Sequence, residues 1–221
     1  MKRHILLIAL LVVTSTSFAQ SKPSFGFKGG YASSAIRGEA MNSFNNLLDY
    51  TGGKVSTSNR SGFFAGGNVH IPVTRSFAIE PGIYYAQKGY EMKGSIGLKS
   101  IEFVGADARA QLTSHYIDVP VLAKATIGGL QVFAGPQISY LSQADLRTTA
   151  GIMGFNLLNK KMDATEQFNR WDVGVTGGVG YQFNNGVNLS ATYDHGLSRA
   201  DANKNFEAYN QSFKIGFGYR F

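Results

Sequence analysis

Apolar and polar residues alternate along most of the chain with a period of two. Over 171–183 the odd positions carry Trp171, Val173, Val175, Gly177, Val179, Tyr181 and Phe183, and the even positions Asp172, Gly174, Thr176, Gly178, Gly180 and Gln182. Successive side chains of a strand point to opposite faces, so this segment predicts a strand with one apolar face and one small or polar face. The same reading predicts seven more. Residues 24–33 set Phe25, Phe27 and Tyr31 against Lys28, and 61–73 set Phe63, Ala65, Val69, Ile71 and Val73 against Gly62, Gly66, Asn68 and His70. Residues 77–90 oppose Phe77, Ile79, Ile83 and Tyr85 to Glu80, Tyr84 and Lys88, and 115–127 oppose Ile117, Val119, Val121, Ala123 and Ile127 to Asp118, Lys124 and Thr126. Residues 131–141, 187–197 and 211–221 repeat the pattern, the last with Phe213, Ile215, Phe217, Tyr219 and Phe221 opposite Lys214 and Arg220.

The connections alternate in length. Residues 34–60, 91–114, 142–170 and 198–210 are long; Thr74-Arg75-Ser76, Gly128-Gly129 and Asn184-Asn185-Gly186 are short, and Asn-Gly is a strong hairpin signal. Eight strands joined in this way predict an all-β fold, an eight-stranded antiparallel up-and-down transmembrane β-barrel with short periplasmic turns and long extracellular loops. A short helix is expected over 42–49, from Phe44, Leu47 and Leu48.

A soluble barrel would turn its apolar face inward, whereas a membrane barrel turns it to lipid. Here the apolar face is uncharged and rich in aromatics. The opposite face carries Lys28, Glu80, Lys88, Asp118, Lys124, Asp172, Asp194, Lys214 and Arg220, with glycines such as Gly30, Gly66 and Gly178 between them. From Trp171 to Tyr181 the strand runs roughly 33 Å, about 23 Å once tilted by about 45°, which matches the apolar band between aromatic girdles. The charged set is therefore expected to form a lumenal network that fills a narrow barrel, with Glu80–Lys124 and Asp194–Lys214 as pairs. Lining an ion path is the alternative role for the same residues.

Composition agrees with an exported, folded protein. Gly accounts for 27 of the 221 residues, well above the average of about 7%. There is no Cys, which excludes disulfides and thiolate metal sites. Lys2, Arg3 and His4 precede the apolar run 5–13 and the small residues Ser17 and Ala19, which predicts a signal peptide over 1–19, cleaved before Gln20, and a barrel domain over 20–221. The run is too short for a membrane helix, and no lipobox cysteine is present. Removing this segment lowers the formal charge from +7 to +5. The basic residues are scattered and partly lumenal, so no nucleic-acid partner is expected; outer-membrane lipid and lipopolysaccharide phosphate are the more natural partners.

Several short runs carry a resemblance. They are Gly26-Phe27-Lys28-Gly29-Gly30, Glu80-Pro81-Gly82-Ile83-Tyr84-Tyr85, Tyr116-Ile117-Asp118-Val119-Pro120-Val121, Gly135-Pro136, Gly178-Val179-Gly180-Tyr181 and Tyr193-Asp194-His195-Gly196-Leu197. In order and spacing they resemble the small eight-stranded bacterial outer-membrane β-barrels labelled porin-family or PorT-type. That resemblance implies residence in the outer membrane of a Gram-negative envelope and implies no single activity. Aromatics at alternate positions, Phe217, Tyr219 and Phe221, look like the signal read by the barrel-assembly machinery.

Chemistry is sparse. No two histidines have metal-ligand spacing, and Asp194 and His195 point to opposite faces of one strand. His70 is expected in the lumen, His115 at the mouth of its strand and His195 on the outward face near the outer rim. No catalytic group, metal or cofactor is expected. Two functions remain: a non-enzymatic integral outer-membrane barrel whose outer loops bind or support the envelope, and a narrow porin-like channel for ions or very small solutes.

Overall fold

In the computed structural model the described residues are 22–38, 54–97, 105–152, 155–200 and 207–221. The expected signal peptide and the helix expected over 42–49 lie outside them. Among the described residues nine strands form: β1 Ser24–Arg37, β2 Lys54–Pro72, β3 Phe77–Gly97, β4 Gly105–Ile127, β5 Leu130–Ile152, β6 Phe155–Asp163, β7 Trp171–Gln182, β8 Val187–Gly196 and β9 Tyr209–Arg220. Eight of them close a barrel in the order β1-β2-β3-β4-β5-β7-β8-β9, with every neighbouring pair antiparallel and β9 returning to β1.

Closure fixes the geometry. Following the registers once round the membrane-spanning part returns to β9 ten residues away, from Gln211 to Phe221. With a rise of about 3.3 Å per residue and strands about 4.8 Å apart, that stagger tilts the strands by about 41° and gives a barrel radius of about 8 Å. Such a lumen is wide enough only for side chains. The outer wall presents Phe25, Phe27, Ile83, Val119, Val132, Val175, Ile215 and Phe217, all exposed, and Trp171 is 58% exposed. Trp171 stacks on Tyr140 at one end of this belt, and Tyr181 on Phe183 and Tyr219 on Phe221 at the other.

The short turns follow their residues. Gly128 and Gly129 join β4 to β5 at φ of +56° and +91°, the doubly positive backbone of a two-residue hairpin. The Thr74 hydroxyl accepts from the amides of Ser76 and Phe77 and so closes the β2–β3 turn.

The long connections differ from expectation. Residues 91–97 and 105–114, expected as loop, continue β3 and β4, and residues 54–60 belong to β2. The segment 142–170 is no simple loop either: β5 runs on to Ile152, and β6, a ninth strand outside the barrel count, returns along it. The backbone still needs hydrogen-bond partners above the bilayer, and the ladder supplies them. The alternation that marks a strand is lost there because no lipid covers one face. Between Tyr116 and His115 the β4–β5 register shifts and leaves Ser142 without a cross-strand partner. A bulge of this kind re-aims the chain. Above it Leu112, Tyr116, Leu141 and Ala144 form a small buried core, covered by Tyr90, Leu146 and Phe168.

Candidate functional site

The lumen is built in levels. Nearest the periplasmic turns, Lys124 Nζ donates to Glu80 Oε2 at 2.5 Å, and His70 Nδ1 lies 3.3 Å from the same oxygen. Higher up, Asp118 accepts from Lys88 at 2.7 Å and from Lys214 at 2.9 Å. Lys214 also lies 2.6 Å from Asp194, which accepts from the Thr176 hydroxyl at 2.7 Å. Glu80, Lys88, Asp118, Lys124, Asp194 and Lys214 are each at most 6% exposed. β4 and β9 stand opposite each other in the barrel, so the Asp118–Lys214 contact spans its full width. Asp172 accepts from Asn210 at 2.8 Å, and the same amide reaches the Tyr116 hydroxyl of β4 at 3.3 Å, a second crossing.

The pairs Glu80–Lys124 and Asp194–Lys214 thus lie at 2.5 and 2.6 Å. The bridging position of Asp118 between two lysines is not visible in strand parity, because it depends on which strands face each other. Lys28 and Arg220, from the same predicted set, reach no carboxylate within 4 Å among the described residues, and both line a small cavity at the periplasmic mouth.

The lumen is less polar than the sequence suggests. Phe64, Tyr84, Tyr116, Leu122 and Phe133 are all buried inside it. On β3, Tyr84 stands midway between Glu80 of the lower pair and Lys88 of the upper network, packed edge to face on Phe64. The ammonium groups use these rings: Lys88 lies 4.7 Å from the Tyr116 centroid and Lys214 5.5 Å from that of Phe64. The inward glycines make room for rings more than for charges; a Cβ on Gly66 would stand 2.6 Å from Tyr84 Cδ1. The signal for this was present in Phe64, Phe133 and Tyr116, which occupy positions of polar parity.

Three cavities described inside the barrel measure about 20, 40 and 10 Å³. A water needs about 10–15 Å³ of such space, so each holds a few waters at most.

A larger cleft, about 640 Å³, lies just above the outer aromatic rim. It is lined by Ser142 and Gln143 beside the bulge and by residues 163–167 with Arg170. The single 3₁₀ turn Thr165–Gln167 shapes it. Asp163 accepts from the Thr165 hydroxyl and amide at 2.5 and 2.8 Å, bonds that hold its carboxyl below the usual range. Thr165 Oγ1 in turn accepts from the Ala144 amide, which pins the turn to β5. Arg170 reaches the Leu141 and Ser142 carbonyls only at 3.5 and 3.4 Å, so most of its donors point elsewhere. Strand parity held no sign of this cleft.

His70 faces the lumen, His115 bonds the Tyr85 hydroxyl at 2.5 Å, and His195 Nε2 accepts from the Arg37 guanidinium at 2.6 Å outside the barrel. No serine hydroxyl bonds a histidine ring among the described residues, and no cluster there has the ligands for a metal ion. Phe217, Tyr219 and Phe221 all point outward into the apolar belt.

A closed eight-stranded barrel with an apolar exterior, aromatic rims and an ionic lumen defines an integral β-barrel of the outer-membrane class. The profile described as "Outer membrane protein beta-barrel domain" matches residues 18–201. The chain belongs to that family and is an integral outer-membrane protein. Solved structures of similar shape include Ail of Yersinia pestis at 13% identity, covering 91% of this chain and 100% of that one with a TM-score of 0.44. Neisserial surface protein A matches at 12% identity, with coverage of 91% and 100% and a TM-score of 0.49. OprG of Pseudomonas aeruginosa matches at 13%, with coverage of 90% and 95% and a TM-score of 0.43. Comparison with curated proteins found no match.

Proposed function

We propose that the protein is a non-enzymatic outer-membrane barrel with a sealed lumen, and that it acts through its extracellular sheet. The observation that carries this reading is the ionic chain Lys88–Asp118–Lys214–Asp194, which crosses the barrel with all four groups buried. Charges so placed stabilise the structure when paired and offer no continuous water path. The wall is fixed, so binding falls to the cleft beside Arg170 and Gln143. Its hydroxyl, amide, carboxylate and guanidinium groups, set at the level of lipid headgroups, suit a polyhydroxylated, phosphate-bearing ligand such as the lipopolysaccharide core. Arg37, next to His195 on the outward face, adds a second cation at that rim.

Planar-bilayer recording tests the sealed lumen. The refolded barrel is expected to show no steady conductance; ohmic single-channel steps would replace this reading with the narrow channel. Binding of lipopolysaccharide, weakened by Arg170→Ala, tests the cleft. The finer placement among PorT-type barrels rests on the runs around Glu80, Asp118 and Asp194. Residues 1–19 are proposed to serve as the export signal, and Phe217, Tyr219 and Phe221 as the surface recognised by the barrel-assembly machinery. A mature N-terminus other than Gln20 would refute the first, and normal insertion of a Phe217→Ser, Tyr219→Ser double variant the second.

A further inference from the structure

At the periplasmic mouth the lumen holds more cationic than anionic groups. The cavity of about 20 Å³ there is lined by Lys28, Glu80, Lys124 and Arg220, with the amides of Asn68 and Asn188 beside them. Glu80 is taken by Lys124. Lys28 and Arg220 have no carboxylate within 4 Å and no hydrogen-bond acceptor among the described residues. Lys28 and Lys124 also share one ring, each ammonium standing 5.4 Å from the Phe133 centroid. A ring quadrupole attracts each cation, but it does not remove the repulsion between two cations held on the same ring. The four ionisable groups therefore sum to two positive charges in excess. The upper network differs: Lys88 and Lys214 meet Asp118 and Asp194, with buried Asp172 beside them, so no cation there lacks a carboxylate.

Lys28 and Arg220 are partly withdrawn from water at this narrow mouth, and a cation so placed without a counter-charge is unfavourable. The cavity has room for one or two water-sized particles, which is too little for phosphate, sulfate or a carboxylic acid. We propose that this mouth binds a small monovalent inorganic anion of chloride size, held between Lys28 and Arg220. The anion enters and leaves on the periplasmic side, because Tyr84 and Phe64 close the lumen above it. It supplies the counter-charge that the strands lack, and so couples barrel stability to periplasmic halide.

Two measurements on the refolded full-length barrel test this. Crystals soaked in bromide are expected to show an anomalous peak between Lys28 Nζ and the Arg220 guanidinium. In urea, the folded-to-unfolded ratio should be higher in chloride or bromide than in gluconate at equal ionic strength, by about elevenfold at ten times the dissociation constant. Lys28→Met and Arg220→Gln should each lose most of that difference, while Lys88→Met, in the upper network, should keep it. Absence of the bromide peak in the unaltered protein would overturn the proposal. So would a halide effect of equal size in the unaltered protein, Lys28→Met and Arg220→Gln.

Discussion

Asp118→Ala is the substitution that separates a sealed lumen from a wet one. Asp118 is fully buried between Lys88 at 2.7 Å and Lys214 at 2.9 Å. Without its carboxylate, Lys214 keeps Asp194 at 2.6 Å. Lys88 keeps only the Ser139 hydroxyl at 3.4 Å and the Tyr116 ring at 4.7 Å. One ammonium is then buried without a counter-charge, and breaking a buried pair in this way costs about 3–5 kcal/mol. In a water-filled lumen the same pair would behave as an exposed one and contribute about 0–1 kcal/mol. The two readings differ by about 2–5 kcal/mol, roughly thirtyfold to several thousandfold in the folded-to-unfolded ratio. Removing both partners, in Asp118→Ala with Lys88→Met, should recover most of the loss, so a double-mutant cycle is expected to give strong coupling. Urea unfolding in lipid vesicles measures this directly, because the single tryptophan, Trp171, lies on the lipid face and reports loss of the membrane environment. A loss under about 1 kcal/mol, the exposed-pair range, with no coupling to Lys88, would refute the sealed lumen.

Other substitutions test other parts of the same account. Val175→Arg places a charge on the lipid face near the middle of the belt and should cost about 2–4 kcal/mol; spin labels at 175 and 176 should report lipid and lumen respectively, and equal lipid exposure would show a wrong register. Gly66→Ala drives a methyl against the backbone of Ile83 and Tyr84 and should destabilise by about 1–3 kcal/mol, read from the urea midpoint. Leu141→Ala, in the core above the bulge, should cost about 2–5 kcal/mol locally and show as faster amide exchange in the upper β4–β5 ladder, with the membrane belt unchanged. The Asp163 carboxyl is held low by its bonds from Thr165, so its support of the cleft is present at neutral pH and lost only as acid takes the pH through that lowered value. A carbon-detected titration of Asp163 with a midpoint at or above about 3.9, the ordinary value, would contradict those bonds.

The alternation of side chains was sufficient to find all eight barrel strands, their inside and outside faces and the short turns. Each of these follows from a local rule: parity decides the face, and lipid demands an uncharged exterior at every second residue. Trp171, Val173, Val175 and Tyr181 carry that rule on β7 without help from any other strand. Local rules end where lipid ends. Above the rim β3, β4 and β5 continue and β6 is added, because backbone hydrogen bonding extends the ladder with no apolar parity to advertise it. What lies inside the barrel was decided by closure. The ten-residue stagger brings Asp118 of β4 opposite Lys214 of β9, residues 96 positions apart. It also sets the ammonium groups of Lys28 and Lys124 each 5.4 Å from the ring centroid of Phe133. Which charges meet across a lumen depends on the sum of eight registers, a quantity no single segment of the chain contains.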